Sequence, residues 1–376
     1  MAALFHGEGS SSSELSQGQA HLYKHMLSCM SSMSLKCAVQ LGIPDIINNN
    51  GQGQGQPITL PELVSALQLP PSKTGFVHRL MRLLVHSGFF TSKKVICQNE
   101  EEEEEEEEAY GLTPSSRLLL TKGNNEVPSL SPYVLAVLDP AFVNPSHFLG
   151  SWFQQKDAAA STTTPFQLAH EGTSLYEYWG KNTEFGAIFD EGMASDAGLL
   201  KVVIKDFKPV FEGLTSLVDV GGGNGAFCKI LIEAFPHLKC SVLELSHVVA
   251  DLPNTENLKF IEGDMFQAIP QADAILLKSL LRGCSDEESL TILKKCREAI
   301  PSNGGKVVII EIVIDNTKDE HELLEAKLFF DLLIMVILPG KERSQKEWEK
   351  LILKAGFTRY KITPLFGLKS LIEVFP

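Results

Sequence analysis

Leu217-Val218-Asp219-Val220 is an apolar run that ends abruptly in Gly221-Gly222-Gly223-Asn224-Gly225, and a helical pattern from Ala226 to Phe235 follows at once. A strand, a tight turn and a helix start leave backbone N–H groups open to a ligand that no side chain shields. Farther on, Cys240-Ser241-Val242-Leu243-Glu244 reads as a second strand that ends in an acid. A carboxylate there can accept hydrogen bonds from both hydroxyls of a ribose. Loop and acid together predict a nucleoside-binding α/β domain. The spacing is not the dinucleotide fingerprint, because nothing matches its third glycine in the helix after Gly225. A glycine-rich turn without a ligand is the plain alternative, and the spaced acid weighs against it.

The elements that must hold these residues follow from periodicity. Apolar runs at 216–220, 240–244, 258–261, 273–277, 306–313 and 370–375 alternate with helical stretches from Thr215 to the end. That alternation predicts a doubly wound sheet over 209–376, with ligands at the carboxyl ends of its strands. Residues 126–208 read as helical and aromatic, with Tyr133, Phe142, Trp152, Phe166, Tyr176, Tyr178, Trp179, Phe185 and Phe189 among the rings. Such a segment can line a flat apolar pocket, although most of its rings must serve as core.

Residues 19–125 have a different pattern. Helical spacing runs from Leu22 to Ile47, Thr59-Leu60-Pro61-Glu62 is a capping box, and a helix from Ser72 to His86 stops at Gly88. Strand-like pieces Phe89 to Ile96 and Ala109 to Leu112 follow, joined by Glu100 to Glu108. Helix, turn, helix and wing predict a winged-helix-like dimerisation domain with a flexible acidic loop at 98–109, after a disordered tail at 1–18. The helix 72–86 offers only Lys73, Arg79 and Arg82 as cations.

A chain of 376 residues, 44% of them hydrophobic and 21% charged, is long enough for two globular domains. The net charge of −14 owes nine acids to the single run Glu100 to Glu108, and its sign argues against nucleic acid as a partner. No apolar run reaches the length of a membrane span, and the Ser- and Gly-rich start does not read as a signal peptide. Seven cysteines without C-x-x-C pairs suit reduced thiols in a cytoplasmic protein and give no metal framework.

The D-V-G-G-G-x-G run resembles the S-adenosyl-L-methionine loop of class I methyltransferases. From Gln19 to Pro376 the chain resembles plant small-molecule O-methyltransferases of the caffeic acid, isoflavone and resveratrol type. The motifs that carry the likeness are Met33-Ser34-Leu35-Lys36-Cys37-Ala38, Leu112-Thr113-Pro114-Ser115-Ser116-Arg117-Leu118-Leu119, Met193-Ala194-Ser195-Asp196, Gly340-Lys341-Glu342-Arg343 and Ser370-Leu371-Ile372-Glu373-Val374. The resemblance implies a Rossmann-like cofactor domain, a small aromatic substrate, and a homodimer whose N-terminal domains help form the partner's pocket. It also implies that Gly221, Gly222 and Gly223 line the methionine end of the cofactor and that Glu244 binds the ribose. Asp264 and Met265 would meet the adenine, and Lys278 would contact the cofactor.

The catalytic segment departs from the family. Where relatives read L-K-W-x-L-H-D-W, this chain reads Leu277-Lys278-Ser279-Leu280-Leu281-Arg282-Gly283-Cys284. The histidine that takes the phenol's proton is therefore Arg282, which cannot act as a base at neutral pH. Glu311 and Glu342 stand where the family's histidine-orienting acids stand, and around Arg282 they would form an ion-paired cluster facing the pocket. Three readings stay open. The chain methylates an acidic phenol that Arg282 stabilises as the phenolate, with His147 or His170 as substitute base in one variant. Alternatively, it does cyclisation, dehydration or pericyclic chemistry without methyl transfer. In the third reading it is an inactive partner that pairs with an active paralogue.

Overall fold

The computed structural model describes residues 12–53, 55–98, 104–121, 128–156, 163–204, 207–315, 319–365 and 367–376. The chain divides into two units, Met1–Gly123 with Ser129–Leu138, and Asn124–Pro128 with Asp139–Pro376. Among the described residues no helix is long and apolar enough to cross a membrane. The six cysteines whose side chains are described are all free thiols.

In the first unit, helices Cys29–Gln40, Ile43–Gly53, Leu60–Ala66 and Thr74–His86 enclose a core of Ala38, Ile43, Ile47, Leu63, Val77, Met81 and Leu84. The helical spacing from Leu22 to Ile47 is divided among three helices, with breaks at Leu27-Ser28 and at Leu41-Gly42, where Gly42 takes φ +66°, a conformation most side chains disfavour. The Thr59–Glu62 capping box forms as the spacing predicts. Strands β1 (Ile58–Thr59), β2 (Phe90–Gln98) and β3 (Glu104–Leu112) make an antiparallel sheet in the order β1-β3-β2.

Two expectations are corrected here. The acidic run expected as a loop at 98–109 is partly strand, since Glu104 to Glu108 pair in register with Gln98 to Lys94. Like-charge repulsion is offset across the sheet, where Lys94 Nζ lies 2.6 Å from Glu106, and from the helix Thr74–His86 His78 Nε2 lies 3.2 Å from Glu108. Tyr110 Oη also donates to Glu108 at 3.0 Å. The tail expected to be disordered through residue 18 begins a helix at Ser12, Ser12–Met26, with no buried residue; residues 1–11 lie outside the described residues.

The second unit carries the sheet that organises the site. Its strands are β4 (Ser216–Val220), β5 (Lys239–Glu244), β6 (Leu258–Glu262), β7 (Ala274–Lys278), β8 (Lys306–Ile314), β9 (Arg343–Ser344), β10 (Arg359–Pro364) and β11 (Lys369–Phe375). Their order is β10-β11-β8-β7-β4-β5-β6, parallel from β6 to β8 and antiparallel at β11 and β10, with β9 pairing β8. Alternate residues enter two cores. Val218, Val220, Ile275, Leu277, Val307 and Ile309 face one side, with Trp348, Leu351 and Leu293. Leu217, Val242, Leu276, Val308 and Ile310 face the other, with Phe211, Phe227 and Leu231. Burial on both faces explains why these strands are continuous apolar runs. Strand order reverses between β4 and β7, so the cleft at their carboxyl ends is a topological switch point.

Candidate active site

The glycine loop leaves the carboxyl end of β4 at this switch point. Gly221, Gly223 and Gly225 adopt φ +69°, +57° and +71°, and the Gly221 N–H donates to the Leu243 carbonyl at 2.9 Å. A Cβ on Gly221 would stand 2.8 Å from Leu280 Cδ1, and one on Gly222 would stand 2.5 Å from Asp219 Oδ2. The loop is glycine because backbone must pass where side chains cannot. Glu244, at the end of β5, reaches back to it: Oε1 accepts from the Gly223 N–H at 3.2 Å and Oε2 from the Leu245 N–H at 2.9 Å. Asp219 beneath the loop is buried with Oδ1 unpartnered, and burial pushes its carboxyl up to about 7.

The Gly263 N–H joins the next turn to β5 by donating to the Glu244 carbonyl at 3.0 Å. In that turn Asp264 Oδ1 accepts from the Phe266 N–H at 2.8 Å, and Met265 packs partly buried against the core. Lys278 ends β7, and burial, with the Lys369 charge adding, holds it below the usual ammonium range. An open backbone cradle, a buried acid with one oxygen unpartnered and a strand-end carboxylate at one edge fit a cationic nucleoside such as S-adenosyl-L-methionine. Among the described residues no group of side chains could hold a metal ion.

Arg282 lies in the turn that leaves β7. Ser279 starts that turn with φ +54° while its N–H donates to the Ile310 carbonyl at 3.0 Å. The Arg282 backbone N–H then donates to Glu311 Oε1 at 3.3 Å, and Nη1 pairs with Glu342 Oε1 at 3.4 Å. The arginine side chain is only 13% exposed, and both carboxyls are buried. Burial, with the Glu311 charge adding and Arg282 opposing, pushes Glu342 up to about 8; burial also raises Glu311 against the pull of Arg282. Burial thus works against ionisation of both carboxyls, and Arg282 is a fixed cation between them. Gly340 packs on the same turn, where a Cβ would run into the Arg282 carbonyl oxygen.

The two candidate histidines have other surroundings. His170 Nε2 lies 3.3 Å from the Ala141 carbonyl, and its ring lies between Phe166 and Tyr178 at 4.2 and 4.4 Å, inside an aromatic core. His147 is exposed on the short helical turn Asn144–Phe148. Cys284 is buried, and burial followed by the Glu288 charge pushes its thiol up to about 12, so it is no nucleophile.

Three further residues shape the site. Asp196 pairs with Lys369. Burial opposes its ionised form, but Lys369, Lys278 and Arg282 together hold its carboxyl below the usual range. Tyr176 brings its hydroxyl beside Gly283. Arg343, almost wholly buried, donates to the carbonyls of Leu281 at 2.7 Å and Cys284 at 3.0 Å, to Ser289 Oγ at 3.1 Å and to Asp286 at 3.0 Å. It clamps the turn that carries Arg282. Arg343→Ala should lose about 3–5 kcal/mol of stability, because two buried carbonyls lose their donors. Urea unfolding measures this, and a loss under about 1 kcal/mol would contradict the clamp.

Comparison with known proteins gives a consistent picture. Residues 148–358 match the O-methyltransferase domain, and residues 23–122 match the O-methyltransferase dimerisation domain. The trans-resveratrol di-O-methyltransferase of Vitis vinifera is 51% identical over 97% of this chain and 98% of its own length. The isoflavone 4'-O-methyltransferase of Lotus japonicus is 50% identical, over 98% of each chain. The 8-hydroxyquercetin 8-O-methyltransferase of Mentha piperita is 48% identical, again over 98% of each. A methyltransferase of calicheamicin biosynthesis in its SAH-bound form shares the fold, with a TM-score of 0.74 at 24% identity over 96% of this chain and 98% of that one. Human N-acetylserotonin methyltransferase in complex with SAM does so with a TM-score of 0.74 at 16% identity, over 98% and 99%.

Proposed function

The chain belongs to the O-methyltransferase family, and on that premise we propose that it methylates an aromatic hydroxyl acidic enough to ionise near neutral pH, with S-adenosyl-L-methionine as donor. The names of its relatives, which act on resveratrol, isoflavones and a hydroxyquercetin, support a flat phenol as substrate. The match to the dimerisation domain supports a homodimer. When bound, the cofactor supplies an electrophilic methyl group. The loop Gly221 to Gly223 and Glu244 hold its amino-acid and ribose parts, Asp264 and Met265 the adenine side, and Lys278 a contact at the end of β7.

The observation that carries this reading is Arg282, fixed by Glu342 and Glu311 at the turn after β7. A guanidinium cannot remove a proton, and the Glu342 carboxyl is engaged by Arg282 Nη1. The hydroxyl must therefore lose its proton by its own acidity. Arg282 then stabilises the phenolate, and orientation of the bound oxygen supplies much of the remaining rate. A fixed guanidinium between two buried carboxyls also favours a second reading, in which it polarises a carbonyl for ring closure or loss of water.

Methyl transfer to phenols of graded acidity tests the first reading. The rising limb of each pH profile should follow that phenol's own pKa. A midpoint common to every phenol would assign the proton to a group on the protein and sink the proposal. Conversion of a substrate without release of S-adenosylhomocysteine would favour the second reading.

A further inference from the structure

Tyr176 sits on the helix Leu175–Lys181, which a capping box between Ser174 and Glu177 fixes at its start. Leu175, Tyr178 and Trp179 enter the aromatic core with Phe142, Phe166 and Phe185. Those positions share one helix face, so Tyr176 is turned the other way and remains 50% exposed. Its Oη lies 3.3 Å from the place a Cβ on Gly283 would occupy. Gly283 directly follows Arg282, so the missing side chain there opens a space that the tyrosine hydroxyl and the arginine turn share. That hydroxyl makes no hydrogen bond to another described residue.

We infer that Tyr176 is a second hydrogen-bond donor to the accepting oxygen of the substrate, facing the space that Gly283 leaves open beside Arg282. The inference rests on the reading of Arg282 as the phenolate's cation. Tyr176 is half exposed, yet the protein mass around its hydroxyl pushes the phenol up to about 12, with the Cys284 thiol adding and Arg282 opposing. Glu244 raises it as well, so Tyr176 feels both the cofactor's acid and the catalytic cation. A phenol that stays protonated at neutral pH donates and does not abstract. Two donors on one oxygen lower the pKa of a bound phenol further than the guanidinium alone. They also fix its direction toward the cradle.

The test uses the full chain with S-adenosylhomocysteine bound and 4-nitrophenol as probe, whose phenolate is coloured, so ionisation in the site is read without turnover. On the wild-type protein the bound dye should ionise at lower pH than in water. Tyr176→Phe should raise that midpoint by about one pH unit, the effect of losing one charge-assisted hydrogen bond. Arg282→Gln should raise it further. Gly283→Ala keeps the tyrosine but puts a methyl 3.3 Å from its Oη and 3.1 Å from Leu338 Cδ1, and should raise the midpoint in the same direction. If Arg282→Gln moves the midpoint and neither Tyr176→Phe nor Gly283→Ala does, the donor role of Tyr176 is overturned and the reading of Arg282 stands. If the wild-type protein leaves the dye's midpoint as in water, both are overturned. Should Tyr176→Phe fail to fold, Gly283→Ala alone decides.

Discussion

Gly222→Ala should weaken binding of S-adenosyl-L-methionine by about a hundredfold or more, roughly 2.7 kcal/mol. The cause is steric. A Cβ at 222 would stand 2.5 Å from Asp219 Oδ2, and the short Asp219 side chain on β4 has no room to withdraw, since Oδ2 also meets Cys228 Sγ at 3.5 Å. The loop itself must move, and its N–H groups with it. Gly223→Ala is the informative contrast. Its Cβ would meet nothing within 4 Å, but its φ is +57°, so it carries only the left-handed backbone cost of about 1 kcal/mol. Calorimetric titration should therefore rank wild type, Gly223→Ala and Gly222→Ala in order of falling affinity, with thermal unfolding as a check on folding. Equal affinity for wild type and Gly222→Ala would remove the cofactor from this loop.

The sheet was legible because parallel strands covered on both faces are written as unbroken apolar runs, and β4, β5, β7 and β8 all fall within a residue of the runs in the sequence. The edge strand β10 was not, because Arg359, Lys361 and Pro364 face solvent and dilute the signal. Composition misled at Glu104 to Glu108, part of a run of nine acids that reads as loop; the antiparallel partner that carries Lys94 comes earlier in the sequence and no local pattern reveals the pairing. In the site, residue type alone exposed the problem at Arg282. The buried grip of Glu311 and Glu342 on it came from likeness to relatives, and geometry now supplies it. Arg343 stood in a quoted motif, yet its role depends on how the turn 281–289 folds back over it. Tyr176 was one ring among many. Only its direction, away from the core and toward Gly283, separates it from the others.

Arg282→Gln should lower kcat/KM for an acidic phenol by about 10²- to 10³-fold, the usual effect of deleting a preorganised group that stabilises developing or resident negative charge. Cofactor affinity should stay within about threefold, because Glu244 is held to the glycine loop through the Gly223 and Leu245 N–H groups. Part of the loss arises indirectly, since Glu311 and Glu342 would be left buried without their cation and would hold their protons more tightly. Arg282→Lys keeps the charge but not the planar fork, and should recover only part of the rate. Arg282→His is the decisive member of the series. Imidazole ionises near 6.5, so a neutral base would become available as pH rises through about 7. Weakly acidic phenols should then become substrates, with a rising limb at one pH for all of them, whereas the wild-type limb moves with each phenol. Acidic phenols should gain little, because they arrive ionised and lose part of the fixed positive charge. If Arg282→Gln keeps an acidic phenol within threefold of wild type, the cation is idle and the phenolate is stabilised elsewhere. If Arg282→His leaves weakly acidic phenols inert, the turn after β7 does not deliver residue 282 to the accepting oxygen, and the chemistry of this chain has moved away from the family's site as well as from its histidine.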